Sequence, residues 1–244
     1  MNQKNKPLGV MGSDYSIDRQ KKKSLIYRYK TRAFETFKIY QKHNINNEFP
    51  KILDFGTADG FTLAEAHLLL NAHSSIGIEY SKELIKSAEK LPPNCSIIQG
   101  DVTEEIELLS GISFDLVTAL AILEHLDDPR KLFEQAFQRL KPGALLIATC
   151  PSPTWDKISG KLNLHKEDFH AVDFNRKKFY KMAKEIGFQP LQYKKFMSAP
   201  LGFLPYLNIS IYPRFSHAVD KMIRTVKFLN WTFVNQIFVA RKPK

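Results

Sequence analysis

The stretch Lys51–Thr62, KILDFGTADGFT, constrains this chain more than any other. Ile52, Leu53 and Phe55 form an apolar run of strand length around a single acid, Asp54. Gly56-Thr57-Ala58-Asp59-Gly60 then reads as a turn, and Phe61–Leu70 as a helix. A strand that ends on a glycine-punctuated turn and passes straight into a helix belongs in a layered α/β unit, with the turn at the edge of the sheet. Glycines there leave no Cβ between backbone and ligand, so the turn is expected to hold a nucleotide-like cofactor.

The rest of the chain repeats the alternation. Ser75–Tyr80, Cys95–Gln99, Phe114–Leu120 and Ala144–Thr149 are short apolar runs. Between them, Ser81 is placed to cap a helix over Lys82–Leu91 that Pro92-Pro93 closes, and Lys131–Leu140 reads as a helix stopped by Lys141-Pro142-Gly143. Continuously apolar strands separated by helices are the pattern of a parallel sheet covered on both faces. Right-handed crossovers then place the strands' carboxyl ends along one edge. Downstream, Arg176–Ile186 reads as a helix with Gly187 as its C-cap, and Leu191–Phe196 and Thr232–Ala240 read as strands. Upstream, Leu25, Tyr29, Ala33, Phe37 and Tyr40 recur at helical steps within Ser16–His43. A chain of 244 residues holds one large domain. The expected division is a basic helical extension over 1–47 and one α/β domain over 48–244, carrying an apolar and basic insert at 196–230.

The net charge of +11 is unevenly spread. Residues 1–50 carry 11 Lys/Arg against 4 Asp/Glu, residues 51–190 carry 16 against 20, and residues 191–244 carry 9 against 1. Basic ends around a mildly acidic middle suggest an anionic partner (membrane surface, nucleic acid or phosphorylated substrate), with a merely solvated surface as the alternative. The two cysteines, Cys95 and Cys150, lie far apart without metal-ligand spacing, which argues against a disulfide framework or a zinc site. MNQKNKPLGVMGSDYS has no apolar core of a signal peptide, and no run of about 18 apolar residues occurs. A cytoplasmic setting is expected, with peripheral membrane contact left open.

The turn departs from the dinucleotide fingerprint. Gly56-x-Ala58-x-Gly60 replaces G-x-G-x-x-G, and Asp54 stands inside the strand. Asp59 at the helix start would repel a pyrophosphate, whereas a cofactor bearing an ammonium group would welcome nearby acids. The segments LDFGTADG, GIEYS, QGDV, FDLVTALAILEHLDDP and the strand after KPG occur in that order. Together they resemble the successive motifs of class I S-adenosylmethionine-dependent methyltransferases, including the type eleven and ubiquinone O-methyltransferase-like groups. The resemblance covers residues 48–150, with weaker agreement beyond.

The resemblance implies a Rossmann-like, doubly wound seven-stranded sheet, mostly parallel with the last strand antiparallel, and helices on both faces. It implies S-adenosylmethionine as cofactor. Gly56, Thr57, Ala58 and Gly60 would wrap its methionine part, and Asp54 would order that loop. Glu79 would take the ribose hydroxyls, Tyr80 would cover the adenine, Asp101 would accept from the adenine amino group beside Val102, and Leu120 would lie along the cofactor. Taken singly, Glu79 also reads as an ordinary strand-end acid and Asp101 as a helix cap. Two positions depart from the family: Ala58 stands where glycine is common, and Ala121 stands where ubiquinone O-methyltransferases have an acid that helps hold a metal. No metal is expected.

The similarity to quinone and small-molecule methyltransferases implies a small-molecule, lipid or lipid-linked acceptor methylated at oxygen. His125 and His170 are the candidate bases, with His165 nearby in sequence. The acceptor side falls to the insert. Phe196–Pro213 holds no charge over 18 positions, and Phe215, Val219, Met222, Ile223 and Val226 then make an apolar helical stripe opposed by Arg214, Lys221, Arg224 and Lys227. Three readings stand: a contact with anionic lipid headgroups, a lid that packs its stripe on the domain, or an extra core helix. An RNA methyltransferase gripping phosphates with the basic ends, or a non-catalytic cofactor-binding interaction protein, are the alternatives. Nucleic acid is the weaker partner, because no aromatic–basic alternation of the kind that stacks bases is present.

Overall fold

The computed structural model describes residues 11–45, 48–88, 91–155 and 174–244. Among the described residues, two helices come first, α1 (Ser13–Lys21) and α2 (Lys23–His43). The alternating part follows: β1 (Lys51–Phe55), α3 (Phe61–Leu70), β2 (Ser74–Glu79), α4 (Lys82–Lys86), β3 (Cys95–Gln99), β4 (Phe114–Leu120), α5 (Pro129–Arg139) and β5 (Leu140–Pro151). Then come α6 (Arg176–Ile186), β6 (Gln189–Ser198), α7 (Ala199–Phe203), α8 (Pro213–Ile223) and β7 (Phe233–Arg241).

All seven strands lie in one sheet, in the order β3-β2-β1-β4-β5-β7-β6. β1 pairs in parallel with β2 and β4, and β4 in parallel with β5. β7 is antiparallel to both neighbours, β5 and β6. The expected sheet, mostly parallel with an antiparallel last strand, is the one observed. Alternate residues feed opposite faces, as the two-residue period of a strand requires. Leu53, Val117 and Phe238 enter one core with Phe133 and Phe179, while Ile52, Leu116 and Ile237 enter the other with Tyr27, Ile39 and Leu63. Every residue of β4 is buried, which accounts for its mostly apolar run; the two polar residues, Asp115 and Thr118, are hydrogen-bonded.

Several boundaries differ from expectation for local reasons. α4 ends at Lys86 rather than Leu91. The Ser87 hydroxyl donates to the Leu84 carbonyl at 2.9 Å, and the Ser87 N–H closes back on Glu83 and Leu84, which tightens and ends the last turn. α5 starts two residues early because Asp128 caps it, accepting from the Arg130 N–H at 3.1 Å with Pro129 at the first helical position. β5 starts at Leu140, where a pairing to Phe114 extends the strand.

The insert between β6 and β7 shows the largest departure. α8 turns Ser216 and Asp220 inward, both fully buried, and leaves Phe215 (56 % exposed) and Met222 (71 % exposed) in solvent. Val219 and Ile223 of the same stripe are half-buried. The cause of this orientation is Asp220. Its carboxylate accepts from the Met197 N–H at 2.6 Å and the Ser198 N–H at 3.1 Å, where Met197 is bent into the left-handed region at φ +60°. Two buried amides that need one carboxylate outweigh the burial of a few apolar side chains. Ser216 supports the same orientation by sharing a 2.6 Å hydrogen bond with the Tyr27 hydroxyl of α2. His217 pairs with the buried Glu35 of α2 at 2.7 Å, and Lys194 of β6 bonds the other Glu35 oxygen.

Candidate active site

The turn after β1 is built by its neighbours. The Gly56 and Thr57 amides donate to the Ile78 carbonyl of β2 at 2.9 and 3.1 Å, and the Gly60 amide donates to Thr57 at 3.0 Å. Gly56 has φ +71°, and a Cβ there would stand 2.7 Å from the Ile122 side chain. Glycine is therefore required where the turn meets the segment after β4. Ala58 also takes a left-handed conformation, φ +54°, so the departure from glycine is accommodated with backbone strain.

Asp54 is buried at the end of β1 and accepts from the Thr118 hydroxyl of β4 at 2.6 Å. Burial pushes its carboxyl up to about 6, against the pull of that hydrogen bond. Glu79, at the end of β2, accepts from the Ala58 N–H at 2.9 Å and the Ser81 N–H at 2.8 Å. Each oxygen keeps an acceptor position, so the carboxylate can still take a pair of hydroxyl donors. Burial raises its pKa as well. β3 joins through the Gly100 N–H, which donates to the Glu79 carbonyl at 3.0 Å. Just past it, Asp101 accepts from the Thr103 N–H at 2.8 Å and the Thr103 hydroxyl at 2.6 Å. Its role in a local turn is thus visible, and Val102 beside it is buried. Tyr80 is half exposed over this edge, and Leu120 is buried at the end of β4. Ala121 then turns left-handed, φ +61°, and its N–H donates to Thr149 at 2.9 Å. His125 is half-buried at the end of the 3-10 turn Leu123–His125. His165 and His170 lie outside the described residues.

One expectation is corrected. Asp59 does not wait for a cofactor's ammonium group. It is fully buried and ion-paired with Arg19 of α1 at 2.9 Å. Arg19 also donates to the Thr62 hydroxyl at 2.8 Å and lies 5.3–5.7 Å from the ring centroids of Tyr15, Tyr29 and Phe61. Burial raises the Asp59 pKa, and Arg19 opposes that rise. Sequence reasoning missed Arg19 because its partner is distant in the chain. The one local hint is Tyr15, a helical step of four away on α1.

The amides of the turn are largely spent within the protein, so it offers little to a phosphate. The acids around it suit a cationic ligand with ribose hydroxyls.

A family profile described as a methyltransferase domain matches residues 22–193. Malonyl-[acyl-carrier protein] O-methyltransferase of Halalkalibacterium halodurans is 27% identical over 141 residues, covering 56% of this chain and 52% of that one. Ubiquinone biosynthesis O-methyltransferase of Coxiella burnetii is 29% identical over 112 residues, covering 44% of this chain and 46% of that one. The matched stretches thus span about half the length of these curated relatives. Among solved structures, a putative methyltransferase of Haloferax volcanii in complex with the Trm112 activator has a TM-score of 0.64 at 13% identity, covering 95% and 94% of the two chains. A SAM-dependent methyltransferase of Archaeoglobus fulgidus has a TM-score of 0.62 at 15% identity, covering 94% and 99%. At such identities the likeness is one of fold.

Proposed function

The chain belongs to the S-adenosylmethionine-dependent methyltransferases of class I, and on that premise we propose that it methylates an oxygen of a small-molecule, lipid or lipid-linked acceptor. The cofactor contacts in this reading are Asp54, Gly56, Thr57, Ala58, Gly60, Glu79, Tyr80, Asp101, Val102 and Leu120. Bound there, S-adenosylmethionine supplies an activated methyl group. The protein's part is to hold that group in line with the acceptor and to exclude water. Glu79 carries most of the binding, as the buried acid facing the turn. His125, and His170 outside the described residues, are the groups proposed to take the acceptor's proton. The O-methyltransferase relatives support the choice of oxygen.

The observation that carries the lipid side of the proposal is the outward face of the insert. Leu207, Tyr212, Met222 and Phe228 are each more than 70 % exposed, with Trp231 half exposed beside them. Trp155, Trp231, Phe203 and Tyr206 form a chain of neighbouring rings next to it. Lys221 and Lys227 are exposed on the same segment. Apolar rings ringed by cations suit an anionic membrane surface. No helix among the described residues is long and apolar enough to cross a membrane.

The test has two arms. Calorimetry with S-adenosylhomocysteine reads the donor site, and absence of binding by folded protein would overturn the assignment of these residues. Flotation with vesicles containing anionic lipid reads the insert, with Phe228→Ser and Trp231→Ser expected to abolish it. Equal flotation of the variants would remove the membrane role.

A further inference from the structure

α1 buries only Ser16 and Arg19. Ile17 is 45 % exposed and Tyr15 half-buried, so the helix places no apolar side chain in either core. α2 is different. It starts after a break at Lys22, whose backbone is extended at φ −80° and ψ 114°, and it sends Tyr27, Ile39 and Tyr40 into the core.

What holds α1 is polar. At its C-terminal end Arg19 pairs with Asp59 at 2.9 Å and donates to the Thr62 hydroxyl at 2.8 Å. Just before its N-terminal end, the Met11 carbonyl accepts from the Ser81 hydroxyl at 3.2 Å. Ser81 is also the residue whose N–H lies on the Glu79 carboxylate at 2.8 Å. One anchor is thus on the glycine turn, and the other is beside the acid proposed for the ribose. The nine residues of α1 span about 13 Å, so the helix lies along the site from the turn to Glu79.

We propose that α1 is a cover over the donor site, latched by Arg19, that opens to admit S-adenosylmethionine and to release S-adenosylhomocysteine. Lifting α1 uncovers no apolar core, so it costs far less than unfolding the domain. The Arg19–Asp59 pair then parts into water, where solvation of both charges offsets the attraction that is lost. A bound donor orders the turn and the Glu79 loop, the two places where α1 is anchored, so occupancy and closure favour one another. Arg19 is a positioning residue here: it touches the turn and not the donor. The inference rests on the reading of the turn and Glu79 as the donor site.

The α1–α2 junction offers a direct test, because it reads Lys21-Lys22-Lys23 with the first two exposed. Trypsin is applied to the folded full chain, and mass spectrometry follows cleavage after residues 21–23 as a ratio to cleavage within α5. The ratio removes any general change in stability. Saturating S-adenosylhomocysteine should lower it at least about fivefold, since cleavage follows the open population. In stopped-flow measurements Arg19→Met should release S-adenosylhomocysteine at least about tenfold faster, with Arg19→Lys in between, and the ligand should no longer protect the junction of Arg19→Met. If Arg19→Met does not fold, the wild-type ratio decides alone. A junction cut equally with and without bound S-adenosylhomocysteine, or an unchanged release rate in folded Arg19→Met, would overturn the cover. Binding that ignores Glu79→Gln would sink the donor-site assignment and the cover together, whereas binding that depends on Glu79 but gives no protection would sink the cover alone.

Discussion

Asp59 and Asp220 are both fully buried acids, one in the cofactor turn and one in the insert, and the fold answers them differently. Asp59 is met by a cation, Arg19, carried on a helix that precedes the whole sheet. Asp220 is met by two backbone amides of β6. The first arrangement neutralises charge next to the cofactor turn and ties α1 and α3 to it. The second fixes a backbone bend and, as a side effect, turns an apolar helix face to solvent. Buried polarity thus braces the glycine turn at one place and sets surface character at the other.

Substitution at these two acids is the strongest way to break the comparison. Asp59→Ala removes the ion-pair partner of Arg19, leaving it only the Thr62 hydroxyl, and should cost about 4 kcal/mol of stability. It should weaken S-adenosylhomocysteine binding too. Asp220→Ala leaves two buried amides unpaired and should cost about 3 kcal/mol, with cofactor affinity unchanged in the protein that remains folded. Denaturant titration and calorimetry on both variants read the contrast. Loss of cofactor binding in Asp220→Ala would show that the two ends are not separate.

Asp54 sharpens the contrast by pH. Its folded pKa, about 6, lies above its ordinary 3.8. Its contribution to stability is therefore fully present below the unfolded value and is lost as pH rises through the folded one. Relative to wild type, Asp54→Asn should gain about 3 kcal/mol between about pH 4 and pH 7. A flat difference across that window would mean the carboxyl is not buried as described.

Smaller effects test the donor end alone. Glu79→Gln should lower S-adenosylhomocysteine affinity by about 2 kcal/mol, the range for a hydrogen bond to a charged group. Ala58→Gly should raise the denaturation midpoint, by about 1 kcal/mol at most, because it relieves a left-handed alanine but frees the unfolded chain. A loss of stability there would contradict the observed turn.

The donor end was legible in the sequence because its signals are local. Cys95–Gln99, Phe114–Leu120, Arg176–Ile186 and the left-handed Gly187 follow from apolar runs and their punctuation. Glu79 stood out through its place at a strand end. Arg19 and Asp59 were opaque because 40 residues separate them in the chain, and nothing in either segment names the other. On sequence alone the insert stays open between a lipid contact, a lid and an extra core helix, because a helical period does not say what covers an apolar stripe; Asp220, held by two β6 amides, decides which residues face inward.

The place of β7 has a consequence for the nascent chain. β6 has β7 as its sole neighbour in the sheet. Everything the cofactor turn needs, from Arg19 to Thr149, has been made before residues 233–241 exist. β6 and the insert, by contrast, have no strand to settle on until then. Because a domain folds as a unit, the single sheet is completed only once this last strand has been made, and β6 and the insert are the parts that wait longest for it.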